Sequence, residues 1–270
     1  MKPSHLGSLV GGVLVGLLLG VVVLGFVWLP YDPRAIDLDH VLQAPTVAHW
    51  LGTDAFGRDV ASRAMLGART SLLIALQTVC ATLVAGVPVG VLAGYLRGWT
   101  DRLIMIVADA ILAFPAMLLA LTLVAVMGGN RSAIVIALAV SYLPAVVRVV
   151  RSSVLSIRER EYVEASKVAG DGALYTMCRH ILPNALPPIL IIATSLFGWV
   201  ILYESALSFL GVGVPPPTPT WGNMLAEARP YISTAPWLSL APGICLMLTL
   251  LGVNMLGDAI RDRLDPRERT

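Results

Sequence analysis

The sequence predicts an all-α integral membrane protein with six transmembrane helices, and three observations carry that prediction. Mean hydropathy is +0.79 over 270 residues, and 57% of the residues are apolar. Only 13% are charged, against roughly 25% in an ordinary soluble domain, so polar side chains are too few to cover a water-facing surface. Six segments hold the roughly 20 predominantly apolar residues that a bilayer core of about 30 Å requires. No stretch alternates like a barrel strand, and a backbone in lipid must then satisfy its hydrogen bonds within helices.

The predicted spans are 6–29, 71–96, 103–127, 132–150, 185–210 and 237–256. The apolar run of the first exceeds the roughly 7–15 residues of a signal-peptide core, and no small-x-small cleavage site follows, so it reads as a retained helix. Glycines four apart mark the first two spans: Gly12, Gly16 and Gly20, then Gly86, Gly90 and Gly94. Such stripes let helix backbones approach closely, either inside the chain or at a seam with a second membrane subunit. Pro88, Pro115, Pro144 and Pro187–Pro188 should kink or start helices, because each lacks a backbone donor. In the fourth span Arg148 lies near a helix end, where it can snorkel to the interface. Asp109, in the third span, is close enough to the cytoplasmic end to meet Arg102 or a helix terminus, and Glu204 lies near the outer end of the fifth. Both read as packing or interface acids rather than proton relays.

Six spans put both termini on one side, and the basic residues choose the side. With the N-terminus cytoplasmic, Lys2, Arg97, Arg102, Arg148, Arg151, Arg158, Arg160, Lys167, Arg179, Arg261, Arg263, Arg267 and Arg269 face inward. Arg34, Arg58, Arg63, Arg69, Arg131 and Arg229 face outward, which satisfies the positive-inside rule. Trp28, Tyr31, Tyr95, Trp99 and Trp237 fall at the expected interfacial belts. The chain thus divides into an N-terminal helix (1–30), an extracytoplasmic loop (31–68), a five-helix core (69–260) and a cytoplasmic tail (261–270). The core contains a cytoplasmic loop (156–183) and an outer loop (211–236).

Several chemistries are excluded. The 19 basic and 17 acidic residues nearly balance, without the basic surplus of a nucleic-acid binder. Three scattered cysteines make no disulfide framework. Lys2 and Lys167 are the only lysines, and neither ends a GxxxxGK[ST] loop, so no Walker-type ATP site is encoded. HExxH and GxSxG are absent, and His5, His40, His49 and His180 lack ligand spacings. No catalytic residue, metal site or cofactor is expected, and the energy for any pumped transport must come from elsewhere.

The longest polar cytoplasmic stretch is 156–183. Its first half, 159–169, is rich in helix formers, with Glu161, Glu164, Arg158 and Lys167 spaced for ion pairs. Gly170 breaks that helix, Asp171 is placed to cap a second short one, and Leu182–Pro183 should end it. The resulting elbow presents Ala173, Leu174, Tyr175, Met177 and Cys178, an apolar set that suits a partner's groove or the membrane surface.

Glu164-Ala165-Ser166, Gly170 and Leu182-Pro183 resemble the "EAA" loop of permease subunits of ATP-binding-cassette (ABC) importers. Ser166 stands in place of the second alanine, His180 where many members have isoleucine, and Asp171-Gly172 in place of Ala-Ser. The outer stretch from His49 to Arg63 is similar to the outer loop of the second permease of dipeptide, oligopeptide and nickel importers. So are Glu204 to Gly213, the following Pro215 to Gly222, in which Pro215–Pro219 reads as a stiff connector, and Gly257 to Pro266. These segments cover nearly the whole chain from Tyr31 onward.

The resemblance implies a type I importer permease fold in a bacterial inner membrane. It also implies a second homologous permease, two ATP-binding subunits that hold ATP and Mg, and an extracytoplasmic solute-binding protein. The loop would be the coupling helix that docks on an ATPase, with Glu164, Ala165, Ser166, Gly170, Asp171, Leu174, Tyr175, Leu182 and Pro183 in that role. Asp54, Arg58, Asp59 and Glu204 become candidates for an outer gate or a binding-protein contact. Asp54–Arg58 and Asp59–Arg63 are also spaced as helical ion pairs, which would make the loop self-stapled. Peptides are the expected cargo, with nickel or another small solute as the alternative. An ion-coupled carrier or a membrane enzyme would be the rivals from other classes.

Overall fold

The computed structural model describes residues 3–264. Lys2, Arg267, Arg269 and the tail beyond Leu264 lie outside the described residues. Ten helices follow in order: α1 (Pro3–Val27), α2 (Val60–Leu96), α3 (Gly98–Leu112), α4 (Ala116–Met127), α5 (Arg131–Arg158), α6 (Glu161–Val168), α7 (Ala173–Thr176), α8 (Leu182–Phe209), α9 (Trp221–Ala228) and α10 (Trp237–Leu264). A π-helical turn, Met177–Ile181, joins α7 to α8. Among the described residues five stretches are long and apolar enough to cross a membrane, and α3 with α4 supplies a sixth only if the bent pair is one span.

That pair corrects the expected continuous third span: α3 and α4 meet at 86°. Pro115 sits at the junction, with no N–H to carry the helix on and a ring that disfavours helix at the preceding residue, and Phe114 belongs to neither helix. The second correction is at Leu182–Pro183, which continues a helix instead of ending one, so that a single span runs Ala173–Phe209. Leu182 N–H bonds back to the Met177 carbonyl, five residues away, and this wider turn accommodates Pro183. Pro88, Pro144, Pro187 and Pro188 also remain inside helices.

The most extensive helix–helix contact is α2 against α5, and the second glycine stripe makes it possible. A Cβ on Gly86, Gly90 or Gly94 would lie 2.8, 2.7 and 2.7 Å from Val146, Val150 and Val154 respectively. Gly12, Gly16 and Gly20 behave differently: apart from chain neighbours and the helix's own backbone, nothing among the described residues lies within 4 Å of such a Cβ. Instead Gly11 sits against Met255 and seats α1 on α10. The two stripes therefore have different uses, and only the second is internal packing.

One end of the bundle carries three side-chain N-caps. Asp59, Asn130 and Thr220 accept hydrogen bonds from the Ser62, Ala133 and Asn223 amides and start α2, α5 and α9. Trp28 and Trp50, with ring centres 6.3 Å apart, lie at this same end.

Overpacking distinguishes the stripes. Gly90→Val should destabilise the chain by about 1–3 kcal/mol, read as a lower thermal midpoint of the purified protein. Gly16→Ala should leave that midpoint unchanged.

Candidate functional site

Two polar constructions stand at opposite ends of the bundle. The first is the elbow formed by α6, the turn after it, α7 and the π turn. Gly170 takes φ +90°, a conformation open to glycine, and its amide bonds the Lys167 carbonyl to close α6. Asp171 does not cap α7; Gly172 holds that position without a side-chain bond. The Asp171 carboxylate is taken by Ser166, whose Oγ donates to it at 2.6 Å. Ser166 Oγ also lies 3.3 Å from Thr176 Oγ1, which in turn reaches the Gly172 carbonyl. Ser166 and Thr176 are both buried, so this knot fixes the angle between the two short helices from inside.

Val163, Met177 and Ile181 point inward into the core. Outward stand Val168, Leu174 and Tyr175, with 89%, 72% and 52% of their surfaces exposed. Tyr162 and Tyr175 flank His180, with ring centres 6.4 and 5.8 Å from it. The expected apolar set therefore splits by face: Leu174, Tyr175 and Cys178 are exposed, whereas Met177 is buried. Glu164 and Ala165 are exposed on α6.

The expected ion pairs among Glu161, Glu164, Arg158 and Lys167 do not form among the described residues. Arg158 instead donates to the Tyr95 carbonyl at 2.6 Å and, like Lys167, lies over the Tyr95 ring. Arg97 pairs with Glu159 at 2.9 Å. These contacts tie the elbow to the α2–α3 turn. Nearby, Arg151 is gripped by Asp101 through two hydrogen bonds, and Arg148 pairs with Asp109. Asp109 thus meets Arg148 rather than Arg102.

The second construction is at the capped end. Arg58 Nε donates to Asp54 Oδ2 at 2.6 Å, in a turn rather than a helix. Arg58 and Arg63 both donate to Glu227 Oε2 on α9, at 2.8 and 2.7 Å, while Arg63 also approaches Asp54. The expected Asp59–Arg63 pair is absent, because Asp59 is consumed as the cap of α2 and accepts from His49 Nδ1 at 2.9 Å. A cavity of about 230 Å³ opens beside this network, lined by Asp54, Phe56, Arg58, Arg63, Glu227 and Tyr231 among others.

Glu204, expected as an outer contact, is instead completely buried. Ser208 Oγ donates to it at 2.9 Å, and the Ser71, Ser205 and Thr220 hydroxyls surround it. These hydroxyls come from α2, α8 and the cap of α9, so Glu204 fastens α9 into the bundle. Trp221 completes the fastening by bonding the Ala64 carbonyl through Nε1.

Residues 86–270 match the family model described as binding-protein-dependent transport system inner membrane component. A dipeptide transport system permease protein of Alkalihalophilus pseudofirmus is 45% identical over 85% of this chain and 75% of its own length. The chain belongs to this family. A nickel transport system permease protein of Escherichia coli K12 is 39% identical, covering 94% of this chain and 92% of the relative. A glutathione transport system permease protein of Pectobacterium atrosepticum is 38% identical, covering 96% and 87%. Among solved structures, a chain of the MetNI methionine ABC transporter superposes with TM-score 0.63 at 20% identity, covering 74% of this chain and 94% of that one. That likeness gives the fold, a type I ABC importer permease.

Within this permease, sequence reasoning overlooked Thr176, Val168 and Glu227. The burial of Thr176 could have been foreseen, since helical spacing sets Thr176 and Met177 on the face opposite Leu174, Tyr175 and Cys178. The role of Glu227 could not, because its arginines lie 169 and 164 residues away.

Ser166→Ala should loosen the knot by about 1 kcal/mol. Amide hydrogen exchange of Ala173–Thr176 should then quicken about fivefold while exchange within α5 is unchanged.

Proposed function

We propose that this ABC importer permease carries di- or oligopeptides across the cytoplasmic membrane by alternating access. Two separate ATP-binding subunits drive it, and an extracytoplasmic binding protein delivers the cargo to it and to a second, homologous permease. Both termini lie in the cytoplasm, which puts the elbow on the cytoplasmic side and the Arg58–Arg63–Glu227 network outside, in agreement with the distribution of basic residues.

The observation that carries the coupling role is the exposed Leu174–Tyr175 tip, mounted on a helix continuous with a membrane span. Leaving these side chains in water has a cost, and a groove on a partner would remove it. Because α7, the π turn and α8 form one span, a push on the tip is delivered to the helix that carries Glu204 at its far end. The roles then divide. Leu174, Tyr175 and Val168 touch the ATPase, and Glu164 and Ala165 present the adjoining face of α6. Gly170, Ser166 and Asp171 hold the elbow's angle, and Leu182 and Pro183 lie at the junction with α8. Outside, Asp54 and Arg58 secure the loop to α9, whereas Asp59 and Glu204 act from the interior.

Peptide cargo is supported by the 43% identity to a di/tripeptide transport system permease protein of Pseudomonas aeruginosa, over 98% of this chain. The outer histidines add nothing for nickel, since each commits Nδ1 to an aspartate, His40 to Asp37 and His49 to Asp59.

Proline cannot adopt the φ of Gly170. Gly170→Pro and Leu174→Asp should each abolish cargo-stimulated ATP hydrolysis by the reconstituted complex while membrane insertion persists. Full stimulation by assembled complexes of both variants would refute the coupling assignment.

A further inference from the structure

Arg69 of α2 has no carboxylate partner among the described residues. It is half-buried within a helix that crosses the membrane. Its guanidinium stacks on the Phe26 ring, with 3.8 Å from Cζ to the ring centre. Phe26 lies two residues before Trp28, so this cation stands just below the aromatic belt at the capped end of the bundle. Cations at this depth carry a cost unless an anion meets them.

Beside Arg69 opens an apolar cleft of about 320 Å³ between α1, α2, α8 and α10. Its walls include Leu18 and Val22 of α1, Leu72 and Leu76 of α2, and Phe197 of α8. Along α1 it runs from Phe26 to Val15, about 16 Å at the helical rise. That length matches one leaflet's half of a hydrocarbon core about 30 Å thick. The cleft begins at a cation and extends from it by about half the thickness of a hydrocarbon core.

We propose that this cleft binds a glycerophospholipid, with the headgroup phosphate on Arg69 and one acyl chain along α1 against Leu72, Leu76 and Phe197. Guanidinium matches phosphate in charge and in paired N–H donors, and the wall below it is apolar except at Thr249, whose hydroxyl donates to the Cys245 carbonyl. An anionic headgroup is favoured over a zwitterionic one, because no carboxylate among the described residues offsets the Arg69 charge. The lipid would fill the gap between α1 and the rest of the bundle, which α1 otherwise meets mainly at α10. That the leaflet is the outer one rests on the orientation proposed above; the site itself does not.

The test uses the assembled importer in right-side-out membrane vesicles. Their outer leaflet is loaded, by cyclodextrin exchange, with phosphatidylglycerol carrying a mid-chain diazirine. After illumination, peptides containing Leu18–Val22 and Leu72–Leu76 should be labelled. Arg69→Gln should lower that labelling on the order of tenfold, the loss of about one charge-assisted contact, and Arg69→Lys should retain most of it. Leu76→Trp, which fills the cleft and keeps the arginine, should lower it too and decides the matter if Arg69→Gln fails to assemble. Equal labelling of wild type and these variants would overturn the site, as would cross-linking of Leu76 to the second permease in place of lipid. Arg69-dependent labelling seen only after loading the opposite leaflet would overturn the orientation and leave the site standing.

Discussion

The close approach of α2 to α5 is the contact on which the rest of the permease depends. Gly86, Gly90 and Gly94 bring the α2 backbone against Val146, Val150 and Val154 with no room for a methyl group. In lipid, helices gain little from burying apolar side chains against one another, so close van der Waals contact has to hold them together. Both polar constructions hang from this pair. At one end Asp59, the cap of α2, bonds His49, while Arg63 and Ser71 of α2 meet Glu227 and the Trp221 amide of α9. At the other, Tyr95 and Arg97 follow from the same helix and meet Arg158 and Glu159 at the end of α5.

This arrangement accounts for how so little charge is used. Apart from the Arg148–Asp109 and Arg151–Asp101 pairs near one end of α5, the ion pairs sit in the loops or at helix ends. Glu204 stands apart, held by hydroxyls instead of a cation, where α2, α8 and the Thr220 cap of α9 converge. Movement imposed at the elbow would reach the capped end through α8, which begins at the π turn and carries Glu204 near its far end.

Much of the architecture was legible in the sequence, because span length and apolar content are properties of contiguous residues. The sites of error were local competitions. At Pro115 a missing donor and a constrained Phe114 overcame an otherwise unbroken apolar run. At Pro183 the same chemistry failed to end a helix, since a π turn upstream absorbed it. Asp171 has the composition of a cap, yet Ser166 and Thr176 supplied a tertiary hydrogen-bond network that outcompeted the local one. Asp59 and Arg63 have helical ion-pair spacing, but Asp59 was already engaged as the first cap of α2. Glu227 and Tyr95 could not be foreseen as partners, for their contacts span more than sixty residues and depend on how the helices pack.

A photo-reactive amino acid placed at Leu174 tests most directly the claim that this conduit takes its force from another chain. In the assembled importer it should cross-link to an ATP-binding subunit, and the same group at the exposed outer residue Val47 should not. An assembled importer in which position 174 labels only lipid, or in which position 47 captures the ATP-binding subunit, would contradict the account.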